Sequence, residues 1–204
     1  MTSTVLDLHP LTARMLAELE LTPDAAGDTG PDRVLALATA HFMAHERVDM
    51  GALAREAGVG RVTLYRWFGD REGLLARVMW TLSRQCLEWL ARQDEPTLDH
   101  TLASVRSFME VTSSYPPLLR FMSAEPAVAL RAMLEPTSPL VSALADWARE
   151  RLELAGLGGD DAGAAELAAV LVSVTSTYCW ARVIAGGQAD IDGAMRAVRV
   201  LLRT

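Results

Sequence analysis

Two stretches of the chain carry side chains whose types and spacing could do chemistry. The first is Gly60-Arg61-Val62-Thr63-Leu64-Tyr65-Arg66-Trp67-Phe68. If Leu64 and Phe68 point inward on a short helix, Arg61, Val62, Thr63, Tyr65 and Trp67 are left at its outer surface. Such a face suits duplex DNA. Arginine forks onto guanine O6 and N7, a valine or threonine methyl meets the thymine methyl, and a tyrosine hydroxyl reaches a phosphate oxygen. The plain alternative is a helical hairpin that happens to expose aromatics. The second stretch holds Thr175, Tyr178 and Arg182, at spacings of three and four in an otherwise apolar run, hence on one helix face. Polar groups on a buried helix need partners. Those could be a ligand carbonyl or hydroxyl, or, for Arg182, an acid at a domain surface.

Other constellations are weaker. His41 and His45 are four apart, a spacing that can bind a metal, but only Glu46 stands near as a third ligand and His100 is distant in sequence. No metal site is expected. No glycine-rich phosphate loop follows a strand, and no Ser or Cys sits in a nucleophile motif. Hence no catalytic residue and no cofactor is assigned, and an enzyme is poorly supported.

The elements that position these residues follow from punctuation. Asp49 is an N-cap type, the helix runs through Leu53 and Ala54 to Ala57, and Gly58 supplies a left-handed stop. A second short helix spans about 61–68 before Gly69-Asp70. Two short helices across a tight glycine turn form a helix-turn-helix, with Leu53, Ala54, Ala57, Val59, Leu64 and Phe68 as its core. A helix opening at Gly30-Pro31-Asp32 precedes it, with Val34, Leu35, Ala38 and Phe42 on its apolar face, and a long helix over about 71–92 follows. Residues 1–30 form an extension. Leu8, Leu11, Met15 and Leu19 suggest a short helix near 10–20, and Thr22-Pro23 to Gly30 reads as a linker. Further helices are expected from Glu95-Pro96 to about Ser114, over 117–123 and 126–134, from Ser138-Pro139 to Leu154, and over 163–185 and 190–203. No strand-like alternation appears. The fold is therefore expected to be all-α: an N-terminal extension (1–30), a three-helix helix-turn-helix domain (31–77), and a bundle of six to seven helices (78–204).

Composition agrees. The 204 residues are 50% hydrophobic and 22% charged, with a net charge of −7, which excludes a disordered tail and allows a core without disulfide or metal staples. No uncharged apolar run reaches the roughly 18–20 residues of a membrane span, and no leader pattern opens the chain, so a cytoplasmic protein is expected. The two cysteines, Cys86 and Cys179, are far apart in apolar helical contexts, as a reducing compartment permits. All 19 basic residues are arginine. Between Pro31 and Arg77 seven arginines face six acids, so the net negative charge lies outside this segment. It is the one place where DNA would be tolerated.

The pattern Ala54-x-x-Ala57-Gly58-Val59-x-x-x-Thr63-Leu64-Tyr65-x-x-Phe68-x-x-Arg71-x-x-Leu74-Leu75 resembles the signature of the tetracycline-repressor (TetR/AcrR) family. The resemblance implies a homodimeric, all-α, ligand-responsive regulator that binds double-stranded, palindromic operator DNA. By position, Arg61, Val62 and Thr63 would read bases, Tyr65 would meet a phosphate, and Arg71 would anchor the DNA backbone where the family usually has lysine. Gly60, Arg66 and Trp67 complete the DNA-facing set. The family often has serine at the position of Gly60 and histidine at that of Trp67. The all-arginine composition and the tail Asp190-Ile191-x-x-Ala194-x-x-x-Val198-x-x-Leu201-Leu202 resemble an actinobacterial subgroup that controls lactone degradation.

Within the bundle, Phe108, Met109, Met122 and Trp147, among large side chains that include Phe121, Met133 and Trp180, are expected to line a ligand cavity bordered by Thr175, Tyr178 and Arg182. The effector expected is mostly apolar with one oxygen-rich end, such as a medium-chain lactone or fatty acid. Leu167, Leu171 and Val174, with Leu140, Leu144 and Leu152 from the preceding helix, are expected to form a dimer seam. Two other readings remain: a DNA-binding regulator without a small ligand, and a small helical enzyme acting on a hydrophobic substrate.

Overall fold

The computed structural model describes residues 9–23, 30–93, 97–157 and 159–202. Leu8, most of the expected linker and the Glu95-Pro96 start signal lie outside the described residues. Among those described, every regular element is helical, as the sequence predicts.

The N-terminal unit consists of α2 (Gly30–Met43), α3 (Met50–Ala57) and α4 (Arg61–Phe68). Asp49 caps α3 by accepting from the Ala52 amide at 2.8 Å, and Gly58, at φ 71°, ends it in the left-handed region. Non-glycine side chains rarely adopt that backbone, so the tight turn into α4 depends on this residue. Val34, Ala38, Phe42, Leu53, Ala54, Ala57, Leu64 and Phe68 are buried together. The helix α5 (Arg71–Ala91) starts against this unit and runs on into the bundle, so one helix belongs to both halves.

The bundle adds α6 (Leu98–Ser114), α7 (Pro116–Ala124), α8 (Pro126–Leu134), α9 (Pro139–Leu154), α10 (Asp161–Ser176), α11 (Arg182–Ile184) and α12 (Ile191–Leu201). The long helix expected over 163–185 is not a uniform α-helix. A π-helical turn over Thr177–Ala181 joins α10 to α11. The wider turn sets the helix phase back by roughly a quarter turn.

The expected dimer seam needs correction. Leu140, Leu144 and Leu152 are 1%, 6% and 1% exposed, because α9 turns them onto α5, α8 and α10 of the same chain. Leu171 faces a cavity, and Leu167 and Val174 are half-buried. The side of α10 left open carries Ala162, Ala165, Glu166, Ala169, Val170 and Ser173 instead. The uncharged run between Glu166 and Arg182 stays short of the length expected of a membrane span. Asp161–Ile184 is nevertheless a 24-residue helical stretch long and apolar enough, by length and composition only, to cross a membrane, and 28% of its most apolar part is buried.

The N-terminal extension docks on the bundle. In α1 (Pro10–Glu18), Thr12 and Met15 are buried. Glu110 of α6 accepts from the His9 amide at 3.1 Å, from the Thr12 hydroxyl, and from Arg106 at 3.3 Å. Arg14 lies 5.6 Å over the Trp89 ring, and Thr22 exchanges two hydrogen bonds with Gln85. Residues 9–23 thus form a strap across α5 and α6.

Replacing Glu110 should free that strap. Glu110→Ala removes a buried acceptor and leaves the Thr12 hydroxyl and Arg106 without it, an expected loss of about 3 kcal/mol. Limited proteolysis is expected to cut ahead of α2 in the variant while the bundle survives. Equal cleavage of both proteins would show that Glu110 does not hold the strap.

Candidate nucleic-acid interface and effector cavity

The short helix α4 shows one face to solvent. Leu64 and Phe68 are 0% and 5% exposed, whereas Val62 is 84% and Tyr65 50% exposed. Gly60, Arg61 and Arg66 are exposed with them, and Thr63 is half-buried at the first turn. Gly60 lends no side chain to cap α4. The first amides of the helix therefore stay open to an anion. Arg61 lies along α3, where a Cβ on Gly51 would stand 3.0 Å from its guanidinium. Asp49 is held below the ordinary carboxylate range, first by the Ala52 amide and in lesser part by Arg47 and Arg61. The outer face of α4 thus combines two guanidinium groups, an isopropyl group and a phenol on a fixed core.

Two expected members of this face point elsewhere. Trp67 is half-buried against the start of α2, where a Cβ on Gly30 would come within 2.5 Å of the indole. Arg71 faces the bundle. Its Nε donates to the Val48 carbonyl at 2.6 Å, and its two terminal nitrogens donate to the Glu125 carboxylate at 2.6 and 2.7 Å. The physical reason is that Glu125, at the α7–α8 junction, offers a fork-on-fork partner in a half-buried site. Arg71 is accordingly a joint between the two halves. Beside it Arg131 of α8 pairs with Glu72, and the Phe42 and Phe121 rings meet edge-on at 5.8 Å. Sequence reasoning missed Glu125 because nothing local marks a partner 54 positions away.

His41, considered as a metal ligand, hydrogen-bonds to Glu46 and Glu56, both at 2.9 Å. Among the described residues no group of three or more His, Cys, Asp or Glu side chains is arranged to hold a metal ion.

In the bundle, a cavity of about 70 Å³ lies between α5, α6, α9, α10 and α12. Phe108, Met109, Trp147 and Thr175 line it, four of the seven residues expected. Met122 is packed in the core away from it. Tyr178 and Arg182 also fall outside, because the π turn shifts them off the Thr175 face. Tyr178 packs on Gly193, and Arg182 donates to the Gln188 carbonyl and lies 3.8 Å from Asp190, the acid-pair alternative. The long helix sends two rows with steps of four to the cavity, Leu171, Thr175 and Cys179 in one and Val172, Ser176 and Trp180 in the other. Thr175 bonds back to the Leu171 carbonyl at 2.8 Å, so its hydroxyl is satisfied within its own helix. Burial pushes the Cys179 thiol up to about 12, so it is a small apolar lining group.

Comparison with known proteins agrees with this geometry. Residues 44–78 match the domain described as "Bacterial regulatory proteins, tetR family", and residues 98–203 match "Tetracyclin repressor-like, C-terminal domain". Among solved structures, the R. erythropolis transcriptional repressor QsdR from the TetR family superposes with a TM-score of 0.76 at 26% identity. The alignment covers 85% of this chain and 94% of that one. No curated protein matches.

Two outcomes follow from the site. Glu125 is held below the ordinary glutamate range, chiefly by its hydrogen bonds to Arg71, so its contribution to stability is full above the unfolded value and lost as pH falls through the folded one. Glu125→Gln should cost about 1–2 kcal/mol at neutral pH. The difference from wild type should shrink in thermal melts taken below about pH 4. A difference that is constant with pH would show that the fork is not ionic. Arg61→Ala should cost about 1–3 kcal/mol of discrimination at one base pair of the operator. Unchanged base preference in a set of single-substitution duplexes would remove Arg61 from the reading face.

Proposed function

The chain belongs to the TetR family of bacterial regulators, and from that premise we propose that it represses transcription from a palindromic operator until an apolar effector releases it. The carrying observation is the outer face of α4, where Arg61, Val62, Tyr65 and Arg66 stand exposed on a rigid core. Gly60 and Thr63 complete the groove-facing turn. Residues 31–77 serve as the DNA-binding unit and 78–204 as the effector-binding and dimerisation unit. The protein works in the cytoplasm, where its operator is.

Homodimerisation is supported by the uncovered side of α10. An apolar helix with one side left exposed in a single chain calls for a partner surface, and a second copy offers the same mostly small side chains for close approach. Two recognition helices about 34 Å apart then enter successive major grooves.

Effector response is supported by the cavity. At about 70 Å³ it lies well below the roughly 300 Å³ at which ordinary ligand sites begin. An amphiphile must therefore push α6, α9 and α10 apart to enter. A ligand that binds the widened state better shifts the population toward it. The motion reaches α4 through α5 and the Arg71–Glu125 joint.

The reading is tested with the wild-type protein and a labelled duplex from its own promoter region. A salt-dependent shift that acyl-chain compounds reverse is expected. Their potency should rise by about 0.8 kcal/mol per added CH₂ until the cavity is filled. Potency indifferent to chain length would exclude the cavity as effector site. Replacing Ala169 and Val170 together with Glu should give monomers by sedimentation and abolish binding to the palindrome. A double variant that still sediments as a dimer would put the seam elsewhere.

A further inference from the structure

The effector cavity has mostly apolar walls, and one charged side chain stands among the residues that line it. Arg151, on the last turns of α9, lines it together with Trp147. Its guanidinium carbon stands 6.0 Å over the Trp147 ring. Its Nε is buried and has no hydrogen-bond partner. The nearest acid, Glu150, is 3.7 Å from one terminal nitrogen and is itself largely exposed. That separation is too long for a hydrogen bond.

A buried donor on a charged group is costly to leave unsatisfied. Arginine cannot relieve the cost by losing its proton. A wholly apolar molecule in the cavity would leave that cost in place. A molecule ending in a carboxylate would remove it, placing oxygen against Nε–H in a charge-assisted bond in low dielectric. The cation–π contact with Trp147 holds the guanidinium plane in place for that encounter.

Resting on the reading of this cavity as the effector site, we propose that Arg151 is the polar anchor of the effector, which is an amphipathic carboxylate with its chain among Leu102, Phe108, Leu171 and Val198. A neutral head group of the same length leaves the charge unanswered and binds less well. The assignment replaces Tyr178 and Arg182, which lie outside the cavity, and it separates a free acid from a neutral ester.

The test is calorimetric titration of the intact protein with octanoate and with methyl octanoate, repeated on Arg151→Gln and Arg151→Lys. The wild type is expected to bind octanoate at least about tenfold more tightly than its ester. Arg151→Gln should lose about tenfold toward octanoate and leave the ester nearly unchanged. Arg151→Lys should fall between, since it keeps the charge without the fork. A merely structural Arg151 would weaken both probes alike or neither, and either result overturns the proposal. Equal wild-type affinity for acid and ester also overturns it while leaving the cavity as effector site. That comparison needs only the wild type, so it decides the matter even if the variants fail to fold. If neither probe binds the wild type, the effector reading of the cavity falls and the proposal falls with it.

Discussion

The Arg71 guanidinium is the tie on which the arrangement of the two halves depends. Its Nε is committed to the Val48 carbonyl, just ahead of α3, and its terminal nitrogens to Glu125, where α7 meets α8. A planar fork against a planar carboxylate admits little rotation. The helix-turn-helix therefore takes its orientation from the bundle. Because Arg71 is also the first residue of α5, the same side chain marks where one continuous helix leaves the DNA-binding unit. Glu72 with Arg131 and Phe42 with Phe121 reinforce that junction.

Local physics was readable in the sequence, and distant pairing was not. The caps at Asp49 and Gly58, the alternation of Leu64 and Phe68 with Arg61, Val62 and Tyr65, and the Ser138-Pro139 start of α9 each depend on neighbours within a few residues. Their structure follows the reading closely. Arg71 looked like a surface cation because Glu125 lies 54 positions on. Leu140, Leu144 and Leu152 looked like a seam because a buried leucine and an interfacial one share the same helical spacing. Trp67 is half-buried for a reason two elements away, the bare backbone of Gly30.

The cavity shows how a small change of phase redistributes chemistry. A regular α-helix would place Thr175, Tyr178 and Arg182 on one line. The π turn at Thr177–Ala181 breaks that line and brings Cys179 and Trp180 inward instead. Trp180 donates toward Thr112 at 3.4 Å and meets Phe108 at a ring separation of 6.4 Å, so α6 and the long helix close on each other there. The polar character of the pocket then falls to α9, where Trp147 and Arg151 stand one turn apart.

The strap and α5 together give the helix-turn-helix two separate attachments to the bundle. One is the continuous helix α5. The other is residues 9–23, held on the α5–α6 surface and followed in the chain by α2, whose Gly30 packs against Trp67 of α4. The strap is thus a check-rein. It fastens the chain ahead of α2 to α5 and α6 through Gln85 and Glu110, apart from the tie that Arg71 and Glu125 make.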